Sequence, residues 1–168
     1  MSNPNKILET KWFSLNTVSF QSSNGEPYYY FSTPDSVEIL AITEKEEIIL
    51  VRQFRPAIGI SMLELPAGYI EQGEESTIAA KRELIEETGY VCDKIKYLGS
   101  FKNFPSRSDN TLNLFFGYNC KLSLTNSNSD HEVLLLSRTD FISMINKGDF
   151  FSISGIAAYY LCLSKGLF

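Results

Sequence analysis

The chain has 168 residues, of which 43% are hydrophobic, and this is enough for one domain with a buried core. Its formal net charge of −5 argues against a nucleic-acid-binding protein, because such proteins normally present a basic surface. The first residues lack the apolar segment of a secretory signal, and no apolar run approaches the length of a membrane span. We therefore expect a single domain over residues 1–168 that binds neither nucleic acid nor membrane.

The three cysteines, Cys92, Cys120 and Cys162, are odd in number and show no CxxC spacing. This pattern favours free thiols in a reducing compartment over a disulfide framework or a zinc site. The cysteines are then expected to be small buried residues. The expected location is the cytoplasm.

The first third of the chain predicts β-structure. Residues 11–21 alternate apolar and polar side chains, and the cluster at 22–25 is a turn signal. Further strands are predicted at 28–31, 37–42 and 48–54. The last two are apolar enough to be buried on both faces of a sheet.

The rest of the chain predicts three helices and further strands. A helix is predicted over 75–88, with Ser76 or Thr77 as its N-cap and Gly89 as the glycine that ends it. The polar run 125–130 predicts a mobile surface loop. The remaining predicted elements are strands at 91–101, 111–124 and 132–137, followed by amphipathic helices at 140–147 and 153–164 that cover the sheet.

The helix at 75–88 concentrates negative charge. On a helix, Glu83, Glu86 and Glu87 fall within an arc of about 100°. Carboxylates this close repel one another and raise one another's pKa. A divalent cation removes the conflict, and carboxylate oxygens suit Mg²⁺ or Mn²⁺. The helix by itself is equally consistent with a solvated face, on which Arg82 pairs with Glu86 four residues on.

The spacing around this helix resembles the Nudix box. The matching positions are Gly68, Glu74 and the run Arg82-Glu83-Leu84-x-Glu86-Glu87-x-Gly89, which together occupy residues 68–90. Tyr90 departs from the family's usual aliphatic residue at a packing position. The resemblance implies an α/β fold: an α/β/α sandwich with a mixed sheet and N-terminal antiparallel strands. It also implies a hydrolase that cuts a diphosphate linked to a further group X with the help of a divalent metal.

The resemblance also implies roles for single residues. The implied metal ligands are acidic side chains and one main-chain carbonyl: Glu83, Glu87, Glu86 as a third ligand or catalytic helper, and the carbonyl of Ala67. Arg82 would orient the catalytic carboxylates, and Glu74 would be structural.

The residues before the box look like the ADP-ribose and nucleotide-sugar pyrophosphatase branch of the family. The run 51–56 reads VRQFRP and the run 63–68 reads LELPAG. In that branch, the match to Arg55 contacts substrate phosphate and the match to Glu64 lies in the substrate pocket. A guanidinium fork suits a diphosphate. Arg52 is a further substrate-binding candidate, or else an exposed residue at a strand end.

A proline 16 residues beyond Gly89, Pro105, points to the same branch. The loop that it opens contributes two candidates: Arg107 as a phosphate or sugar ligand, and Asp109 as a hydroxyl-binding group or a base. Glu132 is the best positional match to the late acidic residue that serves as general base, with Asp130 and Asp109 in reserve. His131, the only histidine, is expected to be an exposed bystander.

The first hypothesis is therefore Mg²⁺-dependent or Mn²⁺-dependent hydrolysis of ADP-ribose or a related nucleoside diphosphate sugar to a nucleoside monophosphate and a sugar phosphate. The branch further implies a homodimer built by residues 1–34, with Trp12, Tyr28 and Tyr30 either stacking on the base or packing in the interface. Two alternatives stay open. One is a hydrolase of nucleoside triphosphates or dinucleoside polyphosphates, and the other is a nucleotide-sugar sensor without catalysis.

Overall fold

A computed structural model describes residues 3–19, 25–123 and 131–168. The predicted turn residues 22–24, the predicted loop 125–130 and the reserve base Asp130 lie outside the described residues.

The N-terminal strands form a small antiparallel sheet. Its three strands, in spatial order, are β1 (Asn5–Glu9), β2 (Ser14–Val18) and β3 (Tyr28–Ser32). The prediction of one strand over 11–21 was wrong in its bounds, and β1 was missed. A turn separates β1 from β2, because the Thr10 hydroxyl accepts hydrogen bonds from the backbone N–H groups of Trp12 and Phe13 at 3.1 and 3.0 Å.

The main sheet has seven strands among the described residues. Its central path runs β10-β5-β4-β9-β8, with β6 beside β5 and β7 beside β4. The β4–β9 pair is parallel and the other pairs are antiparallel. The predicted mixed sheet is therefore confirmed. The strands are β4 (Ser36–Thr43), β5 (Ile48–Arg55), β6 (Ile60–Glu64), β7 (Ala67–Tyr69), β8 (Tyr90–Phe101), β9 (Leu112–Leu122) and β10 (Glu132–Leu136).

Helices cover both faces of this sheet. They are α1 (Ser76–Thr88), α2 (Arg138–Lys147) and α3 (Ile153–Ser164). Alternate residues of β4 point to opposite faces: Val37, Ile39 and Ala41 join the core beneath α1, whereas Leu40 and Ile42 join the core beneath α2 and α3. The chain is thus an α/β/α sandwich, as predicted. No helix within the described ranges is both long enough and apolar enough to span a bilayer.

The two ends of α1 are capped differently. Gly89 adopts the left-handed conformation (φ 75°) and terminates the helix as predicted. The N-cap prediction was wrong: the N-cap is Glu75, its side chain makes no capping hydrogen bond, and Ser76 is the first helical residue rather than Thr77. Tyr90 packs, half-buried, against the core beneath α1, so the unusual residue keeps the packing role of its position.

The cysteine prediction was wrong for two of the three residues. Cys92 and Cys120 face each other across the β8–β9 pair and form a disulfide. Cys162 remains a free, buried thiol, and burial raises its pKa to about 12. The pairing depends on strand register, which the spacing of cysteines along the chain does not reveal.

Candidate active site

Strand β7 brings the start of the box against the end of α1. Ala67 and Gly68 pair with Glu38 and Val37 of β4, so the strand is fixed at the edge of the central sheet. The backbone N–H of Ala67 then donates a hydrogen bond to Glu87 Oε2 at 3.0 Å. The last turn of the helix is therefore held against β7 by one of the predicted metal ligands.

Gly68 leaves the space that Glu83 occupies. A Cβ atom built on Gly68 would lie 2.0 Å from Glu83 Oε1 and 2.4 Å from Glu83 Oε2. A side chain at residue 68 would therefore displace the carboxylate. The glycine of the box is a steric requirement of this site, and its backbone does not need a left-handed conformation here.

Arg82 is the cation of α1, the helix that carries the predicted metal ligands and is therefore named the metal helix. Its Nε and Nη2 atoms donate to the two carboxylate oxygens of Glu74 at 3.0 and 2.9 Å. Its Nη1 atom donates to Glu83 Oε1 at 2.6 Å and to Glu86 Oε2 at 3.2 Å. A further hydrogen bond from Nη2 reaches the carbonyl of Tyr69 at 2.9 Å. One guanidinium group thus orients three carboxylates and the loop that precedes the helix.

Burial acts on the two innermost carboxylates. Desolvation raises the pKa of Glu87 to about 7, although the Ala67 N–H bond works in the opposite direction. Desolvation also raises the pKa of Glu83, against the effect of Arg82. Both groups are therefore poorly stabilised as anions by the protein alone, and a divalent cation would favour their ionised forms.

These donors fit a hard cation that is shared with substrate. Among the described residues, no three His, Cys, Asp or Glu side chains converge tightly enough to enclose a metal ion. Mg²⁺ is commonly held by one or two carboxylates together with waters and phosphate oxygens, so an incomplete protein shell suits it. The residues that would hold the ion are Glu83 and Glu87, with Glu86 and the carbonyl of Ala67 as the further predicted ligands.

A cavity of about 500 Å³ opens beside the metal helix. Glu87, Ala67 and Gly68 line it, together with Arg55 and Glu64. The predicted metal ligands Glu87 and Ala67 therefore share one cavity wall with Arg55 and Glu64, which are predicted to bind substrate. The volume is in the range of pockets that hold small ligands.

Glu64 orients Arg55. Its Oε2 atom accepts a hydrogen bond from Arg55 Nε at 2.9 Å and forms an ion pair with Nη2 at 2.8 Å. The Arg55 side chain is 43% exposed and the Glu64 side chain 16% exposed. The guanidinium group is thus fixed on one edge and open on another, which suits binding of a second anion.

The structure places Arg52 and Glu132 away from this wall. They are opposite each other in the β5–β10 pair, where Arg52 Nε donates to Glu132 Oε2 at 2.8 Å. The Glu132 side chain is 62% exposed. Among the described residues, the cavity wall includes neither of the two. Their predicted roles in substrate binding and as general base stay predictions. The neighbouring His131 is half-buried, not exposed as expected.

Arg107 and Asp109 contact the N-terminal sheet. The Arg107 guanidinium lies 4.6 Å from the ring centroid of Tyr28, and Arg107 lines a second cavity of about 290 Å³ beside the aromatic run of β3. Asp109 Oδ2 accepts a hydrogen bond from the Ser32 hydroxyl at 2.6 Å. The structure therefore does not bring these two candidates onto the wall that carries Glu87 and Arg55, although their neighbours Ser108 and Asn110 line that cavity.

Glu38 is a cavity residue that the sequence analysis missed. It is only 5% exposed and lines the same cavity as Arg55 and Glu87. Desolvation raises its pKa to about 7, whereas side-chain hydrogen bonds from Ser154 and Ser152 lower it. The sequence contained a signal for this residue, because Glu38 is a charged residue between apolar neighbours in a buried strand.

Replacement of Gly68 by Ala should weaken metal binding while the fold is retained. The added methyl group displaces Glu83, and mutation of a residue that positions a metal ligand typically costs about 10–100-fold in metal affinity. Titration calorimetry with Mn²⁺ measures the affinity, and circular dichroism checks the fold. An unchanged affinity in a folded G68A variant would contradict the placement of Glu83 in the metal site.

The stability of the metal-free protein should depend on pH through Glu38. Its pKa is higher in the folded protein than in the unfolded chain, so the folded state binds more protons between about pH 4.5 and 7. The free energy of unfolding should then fall as the pH rises through this window, by roughly 3 kcal/mol from this group. The Glu38→Gln variant should lose the share of this dependence that comes from Glu38, keep the share that comes from Glu87, and be more stable than the wild type at pH 8.

Urea denaturation at pH 5 and pH 8 in EDTA measures the effect. Glu46→Gln, at an exposed position in the turn after β4, is the matched control and should leave the pH dependence unchanged. Equal pH dependence in the wild type and the E38Q variant would refute the assignment.

Comparison with known proteins identifies the family. The family model described as the NUDIX domain matches residues 32–136. Over 139 residues, covering 80% of this chain and 75% of each relative, the sequence is 34% identical to methanol dehydrogenase activator of Bacillus methanolicus and 30% identical to ADP-ribose pyrophosphatase of Bacillus subtilis (strain 168). A solved structure described as an ADP compounds hydrolase has the same fold, with a TM-score of 0.81 at 21% identity over 98% of this chain and 93% of that chain. The chain belongs to the Nudix family and is a Nudix hydrolase.

Proposed function

We propose that this chain hydrolyses the diphosphate bond of ADP-ribose or a related nucleoside diphosphate sugar, with Mg²⁺ or Mn²⁺ as cofactor. The observation that carries the proposal is the shared cavity wall, on which Glu87 and Gly68 of the box lie with Arg55 and Glu64. The similarity to the ADP-ribose pyrophosphatase of Bacillus subtilis supports the same substrate class.

Arg55 is the group that would hold the diphosphate. One edge of its guanidinium is engaged by Glu64, and the remaining N–H donors are free to form charge-assisted hydrogen bonds with phosphate oxygens. Glu64 fixes the direction in which these donors point. An Arg55→Lys change would keep the charge but lose the fork, so it should weaken binding of the diphosphate.

The acidic residues of the box would hold the cation. Glu83 and Glu87 are the carboxylates nearest to Gly68 and Ala67, and Arg82 restrains Glu83 and Glu86. When bound, a divalent cation neutralises the charge that develops on phosphate oxygens and makes a water molecule more nucleophilic. Water adds to one phosphorus, the P–O bond of the diphosphate breaks, and a nucleoside monophosphate and a sugar phosphate are released.

Glu132 remains our proposed general base. Its carboxylate is paired with Arg52 and open to solvent at the start of β10. A base must lie within hydrogen-bonding reach of the attacking water when substrate is bound. Arg107 and Asp109, together with the exposed face of the N-terminal sheet, are the proposed contacts for the outer parts of the substrate.

The Glu87→Gln variant should hydrolyse ADP-ribose at least about 100-fold more slowly than the wild type, because the metal supplies several kcal/mol of transition-state stabilisation. The rate is measured as the release of AMP in the presence of Mg²⁺, with AMP quantified by chromatography. Glu71→Gln, at an exposed position before the helix, is the matched control and should retain activity. Near-wild-type turnover by E87Q would remove Glu87 from the metal site.

We also propose a homodimer built through the N-terminal sheet and a cytoplasmic location. The sheet exposes large apolar side chains that a partner could cover, namely Ile7, Leu8, Trp12, Phe13 and Tyr29. Because Cys92 and Cys120 form a disulfide, the cysteines no longer support a cytoplasmic location. The remaining support is the proposed nucleotide substrate. Light scattering that gives the 19.0 kDa monomer would contradict the dimer, and recovery of the protein outside the cytosolic fraction would contradict the location.

A further inference from the structure

Glu38 is a buried acidic residue between apolar neighbours in β4. Its neighbours in β4, Val37 and Ile39, are fully buried on the opposite face, and its own carboxyl group is on the face covered by α3. Among the described residues, no lysine or arginine forms an ion pair with it, because the nearby Arg55 is engaged by Glu64. Burial of a carboxylate without an ion pair is unfavourable for folding.

Two hydroxyl groups at the start of α3 face this carboxyl group. Ser152 and Ser154 line the same cavity as Glu38, and their hydroxyls lower the pKa of its carboxyl group. The two hydroxyls are 3.2 Å apart, and Ser152 Oγ also accepts the backbone N–H of Gly155 as the helix N-cap. All three side chains line the large cavity. A cluster of oxygen atoms from β4 and α3 therefore forms part of the cavity wall.

The cluster lies next to the proposed diphosphate site. The charges of Glu64 and Arg55 act on Glu38, and the same two residues act on Glu87. The Arg55–Glu64 pair, Glu87 and Glu38 all line one cavity. A diphosphate held by Arg55 and the metal would therefore place the group attached to it in the cavity that Glu38 lines.

The chemistry of the cluster selects hydroxyl groups. A carboxylate only accepts hydrogen bonds, whereas each serine hydroxyl both donates and accepts. Vicinal hydroxyls of a sugar can donate to the carboxylate and exchange hydrogen bonds with the serines. A phosphate group would be repelled by the same carboxylate, which disfavours a further phosphate at this position.

We propose that Glu38, Ser152 and Ser154 form a hydroxyl-binding subsite for the sugar X of the nucleoside diphosphate sugar. The subsite rests on the proposed function and specifies that this chain recognises the hydroxyl groups of X. It makes Glu38 a specificity-determining residue rather than a structural one. The unfavourable burial of its carboxylate is offset when the sugar hydroxyls bind.

The test compares two substrates that differ only in X. One is ADP-ribose, and the other is the analogue in which a tetrahydrofurfuryl group, which lacks the hydroxyls, replaces the terminal ribose. The Glu38→Gln variant replaces a charged acceptor by a neutral one of the same size, and hydrogen bonds to charged groups are the stronger ones. We expect kcat/KM for ADP-ribose to fall about tenfold in E38Q, and kcat/KM for the analogue to change less than about twofold.

The Ser152→Ala and Ser154→Ala variants should show the same preference with smaller losses, and Glu46→Gln serves as the control. A structural role for Glu38 predicts a different result, namely loss of stability and an equal loss of kcat/KM for both substrates. Equal losses for the two substrates, or no loss, would overturn the subsite.

Calorimetry measures the affinity of the protein for the two compounds in EDTA. This measurement distinguishes failure of the subsite from failure of the proposed function. If the wild type hydrolyses neither compound but binds ADP-ribose more tightly than the analogue in a Glu38-dependent manner, the function fails and the subsite stands. If the wild type hydrolyses ADP-ribose and E38Q shows no preference change, the subsite fails and the function stands. Absence of both hydrolysis and binding overturns both.

Discussion

The ion pairs of Arg82 determine the geometry of this site. Its guanidinium group is bound by Glu74, Glu83 and Glu86 at once, and it also holds the carbonyl of Tyr69. Without this cation, the acidic residues of α1 would repel one another and the loop before the helix would lose its attachment. Burial of the remaining carboxylate, Glu87, is offset in part by the Ala67 N–H and by the charge of Arg55.

The contact between Arg82 and Glu86 could be predicted because it is local: the two residues are four positions apart on one helix. The metal-binding roles of the glutamates stay predictions. The sandwich was implied by the resemblance of the spacing to the Nudix box. Even the special role of Gly68 has a local cause, since the residue that it accommodates lies only 15 positions later.

The predictions failed where long-range register decides the contact. Cys92 and Cys120 become partners because β8 and β9 pair in one particular register. The Arg52–Glu132 contact also depends on register, because β10 pairs with β5, and the roles predicted for the two residues stay predictions. The environment of Glu38 depends on a helix more than 100 residues later, so its hydroxyl partners could not be read from nearby sequence.

The cavity divides the chemistry between two sets of residues. The metal helix, together with Gly68, supplies the part that any Nudix hydrolase needs, and its geometry is largely independent of the group X. In our proposal, recognition of X falls to residues outside the box, including Glu38 and the serines of α3. Because these residues come from separate parts of the chain, substrate preference can change while the metal helix is retained.

The most direct test of this account is product identification by mass spectrometry after incubation of the wild-type protein with an equimolar mixture of ADP-ribose and ATP, in Mg²⁺ and in EDTA. The account predicts AMP and ribose 5-phosphate in Mg²⁺, little loss of ATP, and no products in EDTA. Faster loss of ATP than of ADP-ribose, or no Mg²⁺-dependent loss of ADP-ribose, would contradict it.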